Sequence, residues 1–325
     1  MSAEETRARD ASVCICTYNG AARIGMVIEA LAAQIQPLDT WELLVIDNAS
    51  TDATSEVAAR LIKEKLGGRG RVVRDEKSGL SFARARAAQE AQGEIVCFLD
   101  DDNIPEPDFV RNAIQAFRGH PKAGMIGGKV TPRWECNPTP LALAVANFAL
   151  AICDRGNIPF CYEGIATGPV GAGMCIRTRV LRELFSNNAF SQIPDRKGNA
   201  LGASGDTALV VLAHQAGWEV WYEPSLQIAH LIPARRMQKD YLLRLYDGFG
   251  RSNIHVRALS DYKARIKLLR VAIGLKDFGR WISRKLTGPS KQLRQQHPDV
   301  VDDLHELQQR MTLSRALEAI WPKTD

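Results

Sequence analysis

Four short apolar runs recur in the first hundred residues, SVCICTY, WELLVIDN, RVVRD and EIVCFLD, each separated from the next by a segment of helical length. Such alternation marks βαβ units around a mostly parallel sheet, because parallel neighbours need a long crossover and a helix supplies it. The intervening segments carry helix signals. Asn48, Ser50 and Asp52 offer N-caps ahead of residues 53–66, Gly67-Gly68 closes that stretch, and Ser81 offers a cap to the Ala/Arg-rich segment ending near Gly93. The expected fold class is α/β, with a mostly parallel central sheet flanked by helices.

After Met125 the regular alternation ends. IGGKVTP reads as a strand, residues 138–153 as a helix, GAGMCIR as a strand, residues 206–216 as a helix closed by Gly217, and EVWYEP and LQIAHLI as two further strands. Beyond Met237 the pattern is mostly helical. A chain of 325 residues holds one large α/β domain with an extension and is too short for two large domains with a linker. The expected division is a disordered start over residues 1–11, an α/β domain over 12–236 and a helical C-terminal extension over 237–325.

A hydrophobic fraction of 45% and a charged fraction of 24% are ordinary globular usage. The opening MSAEETRARD is polar and leads straight into the first apolar run, so a cytoplasmic protein is expected. The apolar stretch over residues 141–153 contains Asn147 and is shorter than the roughly 18–20 residues of a membrane span. Seven cysteines without a CxxC pair point to reduced thiols, with Cys14, Cys16, Cys97 and Cys175 in the core and no zinc or redox site.

The formal charge of +5 is uneven: residues 256–296 hold eleven Lys or Arg against two Asp, a net of +9, which leaves the rest near −4. A chain that is acidic outside one basic stretch does not resemble a nucleic-acid binder. In that stretch Tyr262, Ile266, Leu269, Ile273, Phe278 and Trp281 interleave with Lys263, Lys267, Arg270, Lys276 and Arg280. Two readings stand open, a peripheral contact with an anionic membrane and a helix packed on the α/β domain with a solvated basic side.

In an open parallel sheet the ligand sits at the carboxyl ends of the strands. Those ends are polar here: Thr17-Tyr18-Asn19-Gly20, Asp47-Asn48, Asp75, and Asp100-Asp101-Asp102-Asn103. Asp47 on its own reads equally well as a helix cap. FLDDDNIP is more specific, because three successive carboxylates repel one another unless a cation or a bound proton neutralises them. Mg²⁺ or Mn²⁺ typically takes one or two carboxylates and completes its shell with water and substrate phosphates, so Asp100 and Asp102 suffice.

CTYN, VIDNASTD, SGLSFARARA and FLDDDNIP, in this order and spacing, resemble the family 2 glycosyltransferases over roughly residues 12–235. The resemblance implies a GT-A fold whose half over residues 12–132 binds a nucleotide-sugar donor and whose half over 133–236 holds acceptor and catalytic base. It places Thr17, Tyr18, Asn19 and Asp47 near base and ribose and Arg84 near the nucleotide. Asp100 and Asp101 fall beside the donor, and Asp100 and Asp102 hold the metal. The chemistry agrees: an aspartate accepts from an imide N–H, a tyrosine ring stacks on a base, and a guanidinium forks onto phosphate.

In the second half, GPVGAGMCIRTRVL resembles the family's small-residue segment, in which Gly171, Ala172 and Gly173 let a sugar approach the backbone; a tight strand start is the other reading. GASGDTALVV resembles the family's Glu-Asp motif with Gly205 replacing the Glu, which leaves Asp206 as the candidate base and Asp195 as its nearest rival. His230 in IAHLIPARR stands where some GT-A enzymes supply a further metal ligand, and reads equally as a buried hydrogen-bonding residue. Arg235 and Arg236 fit a diphosphate contact or a solvated surface pair.

The implied activity is inverting transfer of a sugar from a nucleoside-diphosphate donor, with a UDP-sugar favoured, to a hydroxyl of a glycan or lipid-linked glycan in polysaccharide or cell-surface glycan assembly, with Mn²⁺ or Mg²⁺. A sugar nucleotidyltransferase would carry a glycine-rich phosphate loop near the first strand, and CTYNGAAR has neither that nor GxGxxG. A non-catalytic scaffold is disfavoured by the presence of Asp100, Asp102 and Asp206.

Overall fold

The computed structural model describes residues 9–186, 196, 201–202, 204–260 and 267–320. Strands β1 (Arg9–Thr17), β2 (Trp41–Asn48), β3 (Gly70–Asp75) and β4 (Gly93–Asp100) alternate with helices α1 (Ile24–Ala32), α2 (Thr54–Leu66) and α3 (Leu80–Glu90). They pair in parallel in the order β3-β2-β1-β4. The first strand starts earlier than its apolar run suggests. Arg9 bonds Glu42 at 2.6 Å and Gln92 at 2.8 Å, and Ala11 is buried, so residues 9–11 belong to β1 and not to a disordered start. Gly67 closes α2 in the left-handed conformation, as the sequence suggests. Ser81 does not precede α3 but lies in its first turn.

Strand order fixes where a ligand can sit. Right-handed crossovers run one way from β1 through β2 to β3, and the connection to β4 then reverses. Consistent with helices on opposite faces, α1 packs on α2, whereas α3 packs on α6 (Thr178–Ser186). The reversal leaves a switch point between the carboxyl ends of β1 and β4, the place where open α/β sheets bind ligands.

Past β4 come β5 (Asn103–Pro105), α4 (Phe109–Gly119), β6 (Ala123–Trp134), α5 (Pro140–Ala149), β7 (Phe160–Cys161), β8 (Cys175–Arg177), α6, α7 (Gly205–Gln215) and β9 (Glu219–Ile232). The sheet continues as β4-β8-β6-β9-β5, with β7 on β9. β8, β5 and β7 pair antiparallel with their neighbours while β6 and β9 are parallel, so the sheet is mixed in its second half. EVWYEP and LQIAHLI form one strand, with a register shift against β6 between Gly127 and Lys129. β6 runs across residue 132, where the two halves were expected to divide, and one sheet spans both.

A 3₁₀ turn (Ala234–Met237) leads into the helical extension: α8 (Lys239–Ser260), α9 (Lys267–Thr287), α10 (Lys291–Gln296) and α11 (Val301–Ile320). α11 packs against both α8 and α9. Polar pairs pin it. Arg315 bonds Asp277 of α9 at 2.9 Å, His255 of α8 lies 3.2 Å from Glu318, and Ser314 bonds Asp247. Phe148 of α5 packs on Tyr246 and Phe249 of α8, which ties the extension to the α/β domain. No described helix is long and apolar enough to cross a membrane. All seven cysteines are free, and Cys14, Cys16, Cys97, Cys153 and Cys175 are buried.

Candidate active site

The switch point is built from the loops that follow β1, β2 and β4. β4 ends at Asp100, and Asp101 and Asp102 form the turn into β5, where the acidic run divides. Asp101 points inward: it accepts the Thr17 hydroxyl at 2.6 Å and is gripped by Arg23, whose Nε and Nη2 donate to its two oxygens at 2.9 Å each. Thr17 is 3% and Asp101 7% exposed. Both were expected to meet the donor; here they bond each other and lock the end of β4 to that of β1.

Asp47 is fully buried. Its Oδ1 accepts the Ser50 N–H at 3.0 Å and its Oδ2 the Ser55 hydroxyl, so it shapes the turn into α2. Asn19 accepts the Thr51 N–H at 2.8 Å and donates its own N–H to Ser50 at 2.9 Å, which laces the first loop to the second. Asn48 extends the lacing to the third, donating to the Lys77 carbonyl and accepting the Gly79 N–H, both at 2.6 Å. Asp75 turns back to accept the Lys77 N–H. Tyr18 is the exposed member of CTYN, with 38% of its surface open.

On the other side of the acidic run, β5 pairs with β9 so that Asn103 lies opposite His230, and the Leu231 N–H donates to the Asp102 carbonyl at 2.9 Å. Asp102 Oδ1 is then 3.6 Å from His230 Nε2, and Arg236 Nη1 donates to Asp102 Oδ2 at 3.1 Å while lying 3.1 Å from His230 Nε2. Burial, and then the charge of Asp102, push the Asp100 carboxyl above its ordinary range. Burial works the same way on Asp102, but His230 and the Arg236 and Arg196 guanidiniums outweigh it and hold that carboxyl at about 2.

Asp100, Asp102 and His230 are the residues here that would hold a divalent ion. Asp102 and His230 Nε2 lie 3.6 Å apart with Arg236 Nη1 3.1 Å from each, and burial raises the neighbouring Asp100 carboxyl. Among the described residues no three His, Cys, Asp or Glu side chains are gathered as a closed metal cage. His230 is 2% exposed, and its Nδ1 has no hydrogen-bond partner among the described residues.

The second half joins this cluster through Gly171. Its N–H donates to Asp206 Oδ2 at 3.0 Å, and the Thr207 N–H donates to Asp206 Oδ1 at 2.8 Å, which fixes the carboxylate at the first turn of α7. A Cβ at Gly171 would stand 2.9 Å from Arg84 Nη2 and 3.4 Å from Asp206, so glycine is what lets the two approach. Arg84 is 5% exposed, and its charge acts on Asp100. Of the three expected acceptor-side residues only Gly171 lies at this junction. Ala172 is buried, and Gly173, at φ +72° over Ile228, serves the tight start of β8. Arg235 is exposed and Arg236 buried, so they are not a surface pair. Asp195 lies outside the described residues.

A hollow of about 910 Å³ opens at the other end of the sheet, beside Arg9, Glu94, Arg177 and Arg182. Its arginines are spent on the fold: Arg177 donates to Ala123 and Phe117 carbonyls, and Arg182 to those of Ala88 and Ala91. The residue that sequence reasoning missed is Arg23, and for Arg236 it missed the pairing with Asp102. The charge balance that called for a cation at FLDDDNIP applies equally to a guanidinium, and each of these arginines neutralises one of the three carboxylates.

The sequence model of glycosyl transferase family 2 matches residues 12–185. A glucosyl-dolichyl phosphate glucuronosyltransferase of Haloferax volcanii is 24% identical over 268 residues, spanning 79% of this chain and 82% of the relative. The next two curated relatives are matched over only 38% and 29% of their own length. Among solved structures, mannosyltransferase PcManGT of Pyrobaculum calidifontis in complex with GDP-Man and Mn²⁺ superposes with a TM-score of 0.61 at 18% identity, covering 98% of this chain and 89% of that one. A fragment of S. aureus TarS in complex with UDP-GlcNAc gives a TM-score of 0.52 at 18% identity, covering 76% and 66%. These likenesses identify the fold as GT-A.

Proposed function

The chain belongs to glycosyl transferase family 2, and from that premise we propose that it moves a sugar from a nucleoside-diphosphate donor, a UDP-sugar, to a hydroxyl of a lipid-linked glycan, with inversion at the anomeric carbon. The observation that carries this reading is the continuity of one polar set across the switch point: Asp206 against Gly171, Gly171 against Arg84, Arg84 acting on Asp100, and Asp100 beside Asp102. An acid pair suited to the donor and a carboxylate suited to the acceptor meet at one place. The Haloferax relative, named for a dolichyl phosphate substrate, supports the lipid-linked acceptor.

In this reading Asp206 accepts the proton of the acceptor hydroxyl as its oxygen bonds the anomeric carbon and the bond to the diphosphate oxygen breaks. One displacement inverts the centre. Gly171 and Thr207 N–H groups orient the carboxylate, and Arg84 presents a guanidinium to the donor phosphates. What Mn²⁺ or Mg²⁺ supplies when held by Asp100 and Asp102, with His230 as a further ligand, is positive charge against the leaving diphosphate.

Thermal-shift titration with UDP, GDP and dTDP, each with and without Mn²⁺, tests the donor half, since a ligand that binds only the folded state raises its stability. The expected result is a metal-dependent rise with UDP. Transfer to a lipid-phosphate-linked sugar, with the product anomer read by NMR, tests the rest. Retention at the anomeric carbon would overturn the mechanism.

A further inference from the structure

Exposed apolar side chains of the extension gather on α9. Leu275 is 58%, Ile282 41% and Leu286 81% exposed. Ala272 and Gly279 lie exposed on the same line, and the space over Gly279 is open. Steps of three and four residues along 272, 275, 279, 282 and 286 draw one stripe down the helix.

The stripe's outward direction is fixed from behind. Asp277, 1% exposed, is held by Arg315 of α11, and a Cβ at Gly274 would meet Ile320 and Ala319 of the same helix. The apolar residues that the basic stretch offers in sequence are used otherwise: Phe278 stacks on Trp281 with ring centres 5.4 Å apart, and Ile273 is half-buried. Tyr262 and Ile266 lie outside the described residues, as does Lys263.

Charge selects the occupant. Lys276 and Lys285 are exposed on the two margins of the stripe, and Lys285 Nζ sits 5.2 Å above the Trp281 ring. Residues 267–296 hold eight Lys or Arg and a single acid, the buried Asp277. A second copy of this face would therefore bring lysines to lysines with no exposed acid of its own to receive them. An anionic lipid surface receives both features, the apolar stripe among its acyl chains and the basic margins among its headgroups.

We infer that the Leu275–Ile282–Leu286 stripe, with Lys276 and Lys285 at its margins, docks the protein on an anionic bilayer. The proposal deepens the lipid-linked acceptor reading, because it brings the enzyme to the surface that holds such an acceptor, but its test needs no catalysis. Full-length protein is floated with vesicles of phosphatidylcholine alone or mixed with phosphatidylglycerol, at low salt.

The parent is expected to co-float with the anionic vesicles only. The exposed-site variant Leu275→Ser/Ile282→Ser/Leu286→Ser is expected to lose partitioning about ten-fold or more, and Lys276→Gln/Lys285→Gln to lose it by a similar factor on anionic vesicles. Both should keep the parent's nucleotide-dependent thermal shift, so failure to float is separable from failure of the donor reading. Equal flotation of the triple variant and the parent overturns the proposal. A parent that is a dimer by light scattering, turned to monomer by the triple variant without any vesicle binding, would assign the stripe to a second copy instead.

Discussion

Arg236 Nη1 donates to Asp102 Oδ2 at 3.1 Å, so the carboxylate expected to hold a metal already shares a guanidinium with His230. Removing Asp102 therefore does two things at once.

Asp102→Ala strands Arg236, which is 7% exposed, and should destabilise the fold by about 3 kcal/mol, the lower end for a broken buried pair. Asp102→Asn keeps an oxygen for Arg236 and should cost less than about 1 kcal/mol. Both should lose metal-dependent nucleotide binding in calorimetry. Unchanged affinity and metal dependence in the Asn variant would remove Asp102 from the donor site.

Asp101 is expected to behave differently from its neighbours. With both oxygens given to Arg23 and Thr17, its work is structural. Arg23→Met should lower unfolding free energy by about 2 kcal/mol, less than a fully buried pair because the Arg23 side chain is 29% exposed. Nucleotide affinity of the folded variant should stay within about three-fold of the parent. A large loss of affinity with no loss of stability would return Asp101 to the donor contacts.

At the far end of the sheet, Glu42 is 2% exposed and accepts from Ser12 at 2.6 Å, the Gln92 N–H at 2.8 Å, Arg9 at 2.6 Å, and Arg71. Burial pulls its carboxyl upward, but these bonds prevail and hold it below the ordinary range. A depressed folded value gives stability that is fully present above the unfolded value of about 4.3 and is lost as pH falls through the folded one. Glu42→Gln should be less stable than the parent at pH 7 and flatten the acid limb of the stability profile below about pH 5. A mutant profile parallel to the parent's through that window would mean that Glu42 titrates alike in both states.

The parallel half of the sheet was legible because its strands are short apolar runs spaced by helix-length segments, a pattern set by local chemistry. The partners of Asp101 were hidden for the opposite reason. FLDDDNIP shows three carboxylates, and only the twist of the strand end and the location of Arg23 seventy-eight residues away decide which one turns inward. Asp47 had two readings in sequence, and its bonds to Ser50 and Ser55 carry the turn-forming one. Arg236 had two readings, a diphosphate contact and half of a surface pair, because nothing local reveals that β5 against β9 brings Asp102 to its side. The α9 stripe was hidden by its basic neighbours until packing on α11 fixed which face is outward.

Asp206 carries the heaviest prediction. Its carboxylate is held from two sides, by the Gly171 N–H at 3.0 Å and the Thr207 N–H at 2.8 Å, and the residue before it is Gly205, not an acid. No adjacent acid can therefore substitute for it. An acceptor hydroxyl is a poor nucleophile at neutral pH, and a positioned base contributes about 10² to 10⁴ in rate. Asp206→Asn keeps the shape but offers one oxygen to two N–H donors, at a cost of about 1 kcal/mol in stability. The variant should fold and show the parent's metal-dependent nucleotide shift, because Asp100 and Asp102 are untouched, while glycosyl transfer falls by at least about 10². Asp195→Asn is the control. Transfer within a few-fold of the parent in Asp206→Asn, together with loss in Asp195→Asn, would move the base to Asp195.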